Sequence, residues 1–475
     1  MLTKIGGHSL KRATELNIDL VEINLKEIEC IREICRLDDE KMEPNALNNL
    51  DEKLKSFKYL KSNSVKSNAF EQITISEQTK LVKILIKIIS CLKPNLASYL
   101  AKFDYLNENA ASNSEIYYLT DIFYIIWNWS NRLAKFSSIY CESKGLAILY
   151  SYLNDELFLN ELKCYEKNKS NMSNSLICKM LYRAIVGSLH NLSQIYSKCK
   201  SEWKEVDFVD SLLRVADLTK HIELLSDIYL SSYLAIANIF DDKDIGKLND
   251  IVKVVKTITD LCGHCANQMA KGMFINRVTL KLDDEDGTPK EIALVDVDNA
   301  REWHLVELFK GLYHLAVIDS IKIEIYQKNS MGLHLRQIIY NGNDYEKEIS
   351  LKLLYQLCFN REIVEDVARD FTLYNCIKNL ANVSNNEPSE TRKKMVQNAS
   401  GIMWLLKKSL RNGYDPTIED EKRGKSRQIM ISYSRQNREL CLQIKSELEK
   451  LGFKIWIDVE NIHGSSLESM AQAIE

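Results

Sequence analysis

Two clusters of polar side chains, each directly after a short apolar run, are the residues of this chain best suited to hold a small ligand. Ser432, Tyr433, Ser434 and Arg435 follow Ile429-Met-Ile431, and Asp458, Glu460, Asn461 and His463 follow Phe453-Lys-Ile-Trp-Ile457. Hydroxyls, a guanidinium and carboxylates together supply donors, a fixed positive charge and acceptors. A separate pattern, Cys262-Gly-His-Cys265, has the spacing of half a zinc site or of a redox pair. It lacks both a second ligand pair and a thioredoxin-like context, so it reads as two buried, reduced thiols.

The elements around the polar clusters explain how they could meet. The run ending at Ile431 is short and apolar, as a central strand of a parallel sheet would be. From Asn437 to Gly452 the pattern is helical. Cys441, Ile444, Leu448 and Leu451 share the buried side, Lys445, Glu447 and Lys450 point outward, and Gly452 supplies the stop. The second apolar run follows at once, which predicts a parallel crossover. Ligands of such sheets gather beyond the carboxyl ends of the strands, so both clusters would form one wall of a cleft. Ser432 and Tyr433 could equally satisfy the strand end, Arg435 could be a solvated charge, and Trp456 reads as sheet packing. Ser465-Ser-Leu-Glu468 matches a capping box opening a further helix with Leu467, Met470, Ala471 and Ile474 inward.

Upstream, from about Leu20 to Asn412, apolar residues recur at spacings of three and four, the signature of helices that bury one stripe. The exception is a pair of alternating runs, Arg277 to Leu282 and Glu291 to Val297, around Asp286-Gly-Thr-Pro289, which predicts an inserted β-hairpin near 277–297. A polar or aromatic residue recurs inside similar apolar helices at Asn128, Asn191, Asn238, His314, Gln356 and Trp404, with gaps of 63, 47, 76, 42 and 48 residues. Three of those gaps approach the roughly 40–47 residues of a HEAT or armadillo unit, and the longest contains the hairpin. His190 and His314 read as packing residues. Between 413 and 427 the chain is a charged linker with almost nothing to bury.

On these residues the chain resembles two families. The run Glu348-Ile-Ser-Leu-Lys-Leu-Leu-Tyr-Gln-Leu-Cys-Phe-Asn-Arg-Glu-Ile-Val364, and Ser143-Lys-Gly-Leu-Ala-Ile-Leu149, resemble armadillo repeats. Ile431-Ser-Tyr433 and Trp456-Ile-Asp-Val-Glu460 resemble the first two boxes of a Toll/interleukin-1 receptor (TIR) domain, and the combination is similar to the animal NAD-cleaving armadillo/TIR proteins. The TIR likeness covers about 48 residues, and no sterile-alpha-motif segment separates the two parts.

The resemblance implies a mostly α fold: an armadillo-like α-solenoid, then the first part of a flavodoxin-like α/β (TIR) domain. It implies that Asn461, Ile462, His463, Gly464 and Ser465 form the BB loop through which TIR domains associate. Asn191, Asn238 and Gln356 would line a solenoid groove for an extended peptide, or else satisfy buried carbonyls nearby. Ser432, Tyr433, Arg435, Asp458 and Glu460 would be the wall of an NAD cleft, with Arg435 toward phosphate and Asp458 toward ribose. NAD is expected as a substrate and no cofactor is expected to be tightly bound. The family's catalytic glutamate is expected beyond Glu475, and Glu468 and Glu475 do not replace it.

The expected organisation is residues 1–115 as a helical region or cap, 116–412 as repeats, 413–427 as linker and 428–475 as the α/β segment. The 63 basic and 66 acidic side chains nearly cancel, which gives no global field for nucleic acid. No apolar run reaches the roughly 18 residues of a membrane span, nor does the N-terminus carry the apolar core of a signal peptide. The expectation is a cytoplasmic signalling protein that binds other TIR domains. The alternatives are an NAD hydrolase in a longer form, with this chain inactive, or a pure peptide-binding armadillo adaptor.

Overall fold

The computed structural model describes residues 69–101, 115–164, 172–196, 198–273, 275–281, 289–296, 302–382, 389–411, 428–431, 438–450 and 454–457, together with positions 26, 28–31, 34 and 60. The described residues are mostly helical. They fall into two compact units, Met1–Leu353 and Leu354–Glu475, with the division inside a helix.

In the first unit the longer helices are α1 (Ile75–Leu92), α2 (Glu115–Arg132), α3 (Ala134–Glu142), α4 (Gly145–Leu153), α5 (Met172–Ser193), α6 (Phe208–Thr219), α7 (Ser226–Ile239), α8 (Ile251–Ala270), α9 (Leu305–Leu315), α10 (Met331–Asn341) and α11 (Asp344–Leu357). α1 starts where a capping box fixes it. Thr74 Oγ1 accepts from the Glu77 amide at 3.2 Å, and the Glu77 carboxylate accepts from the Thr74 amide at 2.8 Å. Its buried stripe, Leu81, Leu85, Ile88, Ile89 and Leu92, then packs on α2, α3 and α4. Each such fully buried aliphatic side chain stabilises by roughly 1.5–3 kcal/mol. Beside it Phe70, Trp129 and Phe136 form an aromatic knot with ring centroids 5.3–5.5 Å apart.

The helices that carry the recurring polar position pack in succession: α2 on α5, α5 on α7, and α7 on α9. Between α8 and α9 lie β1 (Arg277–Lys281), β2 (Pro289–Asp296) and β3 (Glu302–His304), an antiparallel meander in which Arg277 pairs with Ala293 and Val295 with Trp303. The predicted hairpin is therefore extended by a third strand. Three residues are too short to display an alternating pattern, which is why β3 has no sequence signature. Pro289, which has no amide hydrogen, stands at the first position of β2. Ile292, Ala293 and Val295 are buried, and β2 packs against α8 and α9.

The second unit contains α12 (Arg361–Arg369), α13 (Phe371–Ala381) and α14 (Glu390–Arg411), with α14 packed on both others. Asn360 and Asp370 cap α12 and α13 by accepting from the backbone amides of Ile363 and Leu373. The unit also contains β4 (Gln428–Ile431), α15 (Arg438–Lys450) and β5 (Lys454–Ile457). β4 and β5 are parallel, in register from Gln428 opposite Lys454 to Ile431 opposite Ile457, and α15 packs on β5.

Candidate functional site

The recurring polar residues of the first unit act on one another's helices. Asn191 on α5 donates from Nδ2 to the Trp127 carbonyl of α2 at 2.9 Å and to Ser130 Oγ at 3.3 Å. Asn238 on α7 donates from Nδ2 to Ser193 Oγ of α5 at 2.8 Å. His314 on α9 lies with Nδ1 2.7 Å from Asn238 Oδ1. Each residue thus reaches back to the preceding helix of the row. A carboxamide suits this task because its donor and acceptor are both usable at once.

Close backbone approach makes the bonds reachable. A Cβ on Gly187 of α5 would lie 2.5 Å from the Trp127 indole nitrogen, and one on Gly311 of α9 would lie 2.4 Å from Leu234 of α7. Within the second unit the same relation recurs between Gly401 of α14 and Tyr355, where the distance would be 2.7 Å. Tyr355 and Trp127 each stand one residue before the recurring polar position, Gln356 and Asn128. Glycine lets an aromatic ring rest on the helix backbone at Gly187 and Gly401, and a leucine methyl at Gly311.

Burial, followed by the charges of Lys352 and Lys310, depresses the His314 imidazole to about 4. The ring is therefore neutral near pH 7. Because Asn238 Oδ1 can only accept, Nδ1 carries the proton and Nε2 remains an acceptor. His190 is buried with its ring centroid 6.4 Å from that of Trp303. Asn191 is 3% exposed, whereas Asn238 and Gln356 are half-buried.

Arg277 of β1 grips Glu346 of α11 through two bonds, Nε to Oε1 at 3.0 Å and Nη2 to Oε2 at 3.1 Å. The same carboxylate accepts from the Asn343 amide at 2.8 Å, Asn343 Oδ1 accepts from the Glu346 amide at 2.9 Å, and Asn343 Nδ2 donates to the Glu291 carbonyl of β2 at 3.0 Å. The meander is so bolted to the start of α11. Bonding to Glu346 holds the Arg277 guanidinium above its already high range.

Cys262 and Cys265 are buried free thiols on α8. Burial pushes Cys262 well above the usual thiol range and Cys265 up to about 12. Among the described residues no group of three His, Cys, Asp or Glu side chains could hold a metal ion, and no described helix is long and apolar enough to cross a membrane.

The α/β segment supplies the strands that the sequence predicts. Both clusters proposed for the cleft, Ser432, Tyr433, Arg435, Asp458 and Glu460, lie outside the described residues, as do Asn461, Ile462, His463, Gly464, Ser465 and the 413–427 linker. On α15, Cys441 is buried and Leu448 half-buried as expected, but Ile444, expected to be buried, is 42% exposed. Lys445, expected outward, is half-buried, and its Nζ lies 3.7 Å from the Glu449 carboxylate.

No family model matches this chain, and no curated protein matches it. Among solved structures, one described as the crystal structure of an engineered protein from the Northeast Structural Genomics Consortium shares 12% identity with a TM-score of 0.31, covering 83% of this chain and 91% of that one.

Proposed function

We propose that this chain transmits a signal by self-association of a TIR-type α/β module carried on armadillo-type helical repeats, in the cytoplasm. The observation that carries the reading is the parallel, in-register pairing of β4 with β5 around the single helix α15. Parallel neighbours require a crossover connection, and a TIR sheet opens with this strand-helix-strand order. Both strands end at the same edge of the sheet, where loops of parallel sheets gather to make contacts. The succession α2, α5, α7 and α9, with a polar bond from each helix to the one before, supports the repeat half of the reading.

Sedimentation velocity of the full chain over a wide concentration range tests it. The expected result is reversible association that weakens in an Ile462→Asp variant, which alters the proposed BB loop. A chain that remains monomeric throughout, or associates equally well with Asp at position 462, would overturn the reading.

A further inference from the structure

The segment joining α5 to α6, together with the turn after α7, lines a half-open cavity of about 330 Å³. That volume is within the range of small-molecule sites. Three aromatic rings line it. The Trp203 and Phe208 centroids are 4.7 Å apart, and those of Tyr196 and Trp203 are 6.3 Å apart and nearly perpendicular. Four carboxylates, Glu205, Asp207, Asp241 and Asp244, share the lining with only two lysines, Lys204 and Lys243.

The partners of these groups define what the cavity lacks. Lys247 bridges Asp210 and Asp244 at 2.7 and 3.4 Å, which neutralises part of Asp244. Burial and then the charges of Asp241 and Asp244 push the Tyr196 phenol up, so the potential at that wall is negative. Lys200 Nζ already lies 5.7 Å from the Tyr196 ring centroid, a cation resting on an aromatic face. Trp203 is only 3% exposed, and its indole N–H has no hydrogen-bond partner among the described residues. That nitrogen has almost no accessible surface, so the indole meets the cavity through its ring rather than through its N–H.

We propose that this cavity binds a small organic cation, with the ammonium held between the aromatic rings and the carboxylates. Negative ring faces and carboxylates both favour a diffuse positive charge, and a quaternary ammonium loses less hydration than a primary one on entering such a site.

The test is isothermal titration of the full chain with choline and with its neutral isostere 3,3-dimethylbutan-1-ol. The expected result is saturable choline binding with the isostere weaker by ~10-fold, the cation–aromatic and charge terms together being worth about one such factor. Glu205 is exposed, so Glu205→Gln should weaken choline without changing the thermal melt. Trp203→Phe keeps a ring but a weaker cation-binding one, and should weaken it further. Absence of saturable choline binding, equal binding of the isostere, or unchanged affinity in Glu205→Gln would overturn the proposal. If Trp203→Phe melts early, Glu205→Gln and the isostere comparison decide it.

Discussion

The imidazole of His314 and the carboxamide of Asn238 are held 2.7 Å apart on neighbouring helices, and Asn238 turns its other end to Ser193 on the helix before. One side chain thus connects three helices. The bond requires a proton on Nδ1 of His314, and because burial keeps the ring neutral by depressing its pKa to about 4, the single ring proton is held there.

A pH dependence follows. An unfolded histidine titrates near 6.5, so between that value and about 4 the unfolded chain binds a proton that the folded chain refuses. The stability contributed by neutral His314 is therefore complete above pH ~6.5 and is lost as the pH falls through its folded value, on the order of 2–3 kcal/mol in all. Urea melts between pH 7.5 and 4 should show this decline, and His314→Gln should make it shallower. An identical slope in the variant would remove His314 as its source.

Breaking the Arg277–Glu346 pair should be costly from one side in particular. Glu346 has a side chain only 1% exposed, whereas that of Arg277 is 28% exposed. Arg277→Met leaves the buried carboxylate with only its Asn343 bond from the backbone, and losing the partner of a buried charge costs about 3 kcal/mol. Amide hydrogen exchange should rise at Val278 and Leu280 of β1, whose amides face β2, before it rises in α5. Unchanged protection in β1 would mean that the pair does not anchor the meander.

Gly187→Ala should destabilise by roughly 1–3 kcal/mol, since the new methyl group would meet the Trp127 ring and force one helix to shift. Gly246→Ala is the matched control: a Cβ there meets nothing within 4 Å, and the change should be neutral or slightly stabilising. Equal melting temperatures for both variants would argue against a tight α2–α5 contact.

Thiol labelling distinguishes buried cysteines from a reactive pair. Burial raises both Cys262 and Cys265, and little thiolate is present at pH 8. Iodoacetamide should leave these two unmodified in the native chain and label them after denaturation, as read by peptide mass mapping. Rapid labelling of either in the folded state would contradict the buried arrangement.

The sequence displayed the helices and the recurrence of Asn191, Asn238 and His314, because burial imposes a period and repeated helices repeat their polar exception. It could not display where those amides would point. A carboxamide looks the same whether it faces a groove or the carbonyl of Trp127, and only the packing of α5 against α2 distinguishes them. Arg277 and Glu346, separated by 69 positions, share no local pattern. The cavity between Tyr196 and Asp244 is likewise assembled from segments with no common period. The Thr74–Glu77 capping box, not singled out from the sequence, differs in kind, since its bonding stays within four positions.

The longest gap in the row of polar helices holds α8 and the whole antiparallel meander, yet His314 still finds Asn238 across it. The chain leaves the row, builds a side structure, and returns to the next vacant place beside α7. A detour of that size with its neighbours undisturbed means that adjacency along the backbone is not what sets the order of these helices. The detour is nonetheless no loose appendage: α8 buries Val254, Val255, Ile258 and Cys262 and packs on α9 and α10, so the row and its side structure share one core.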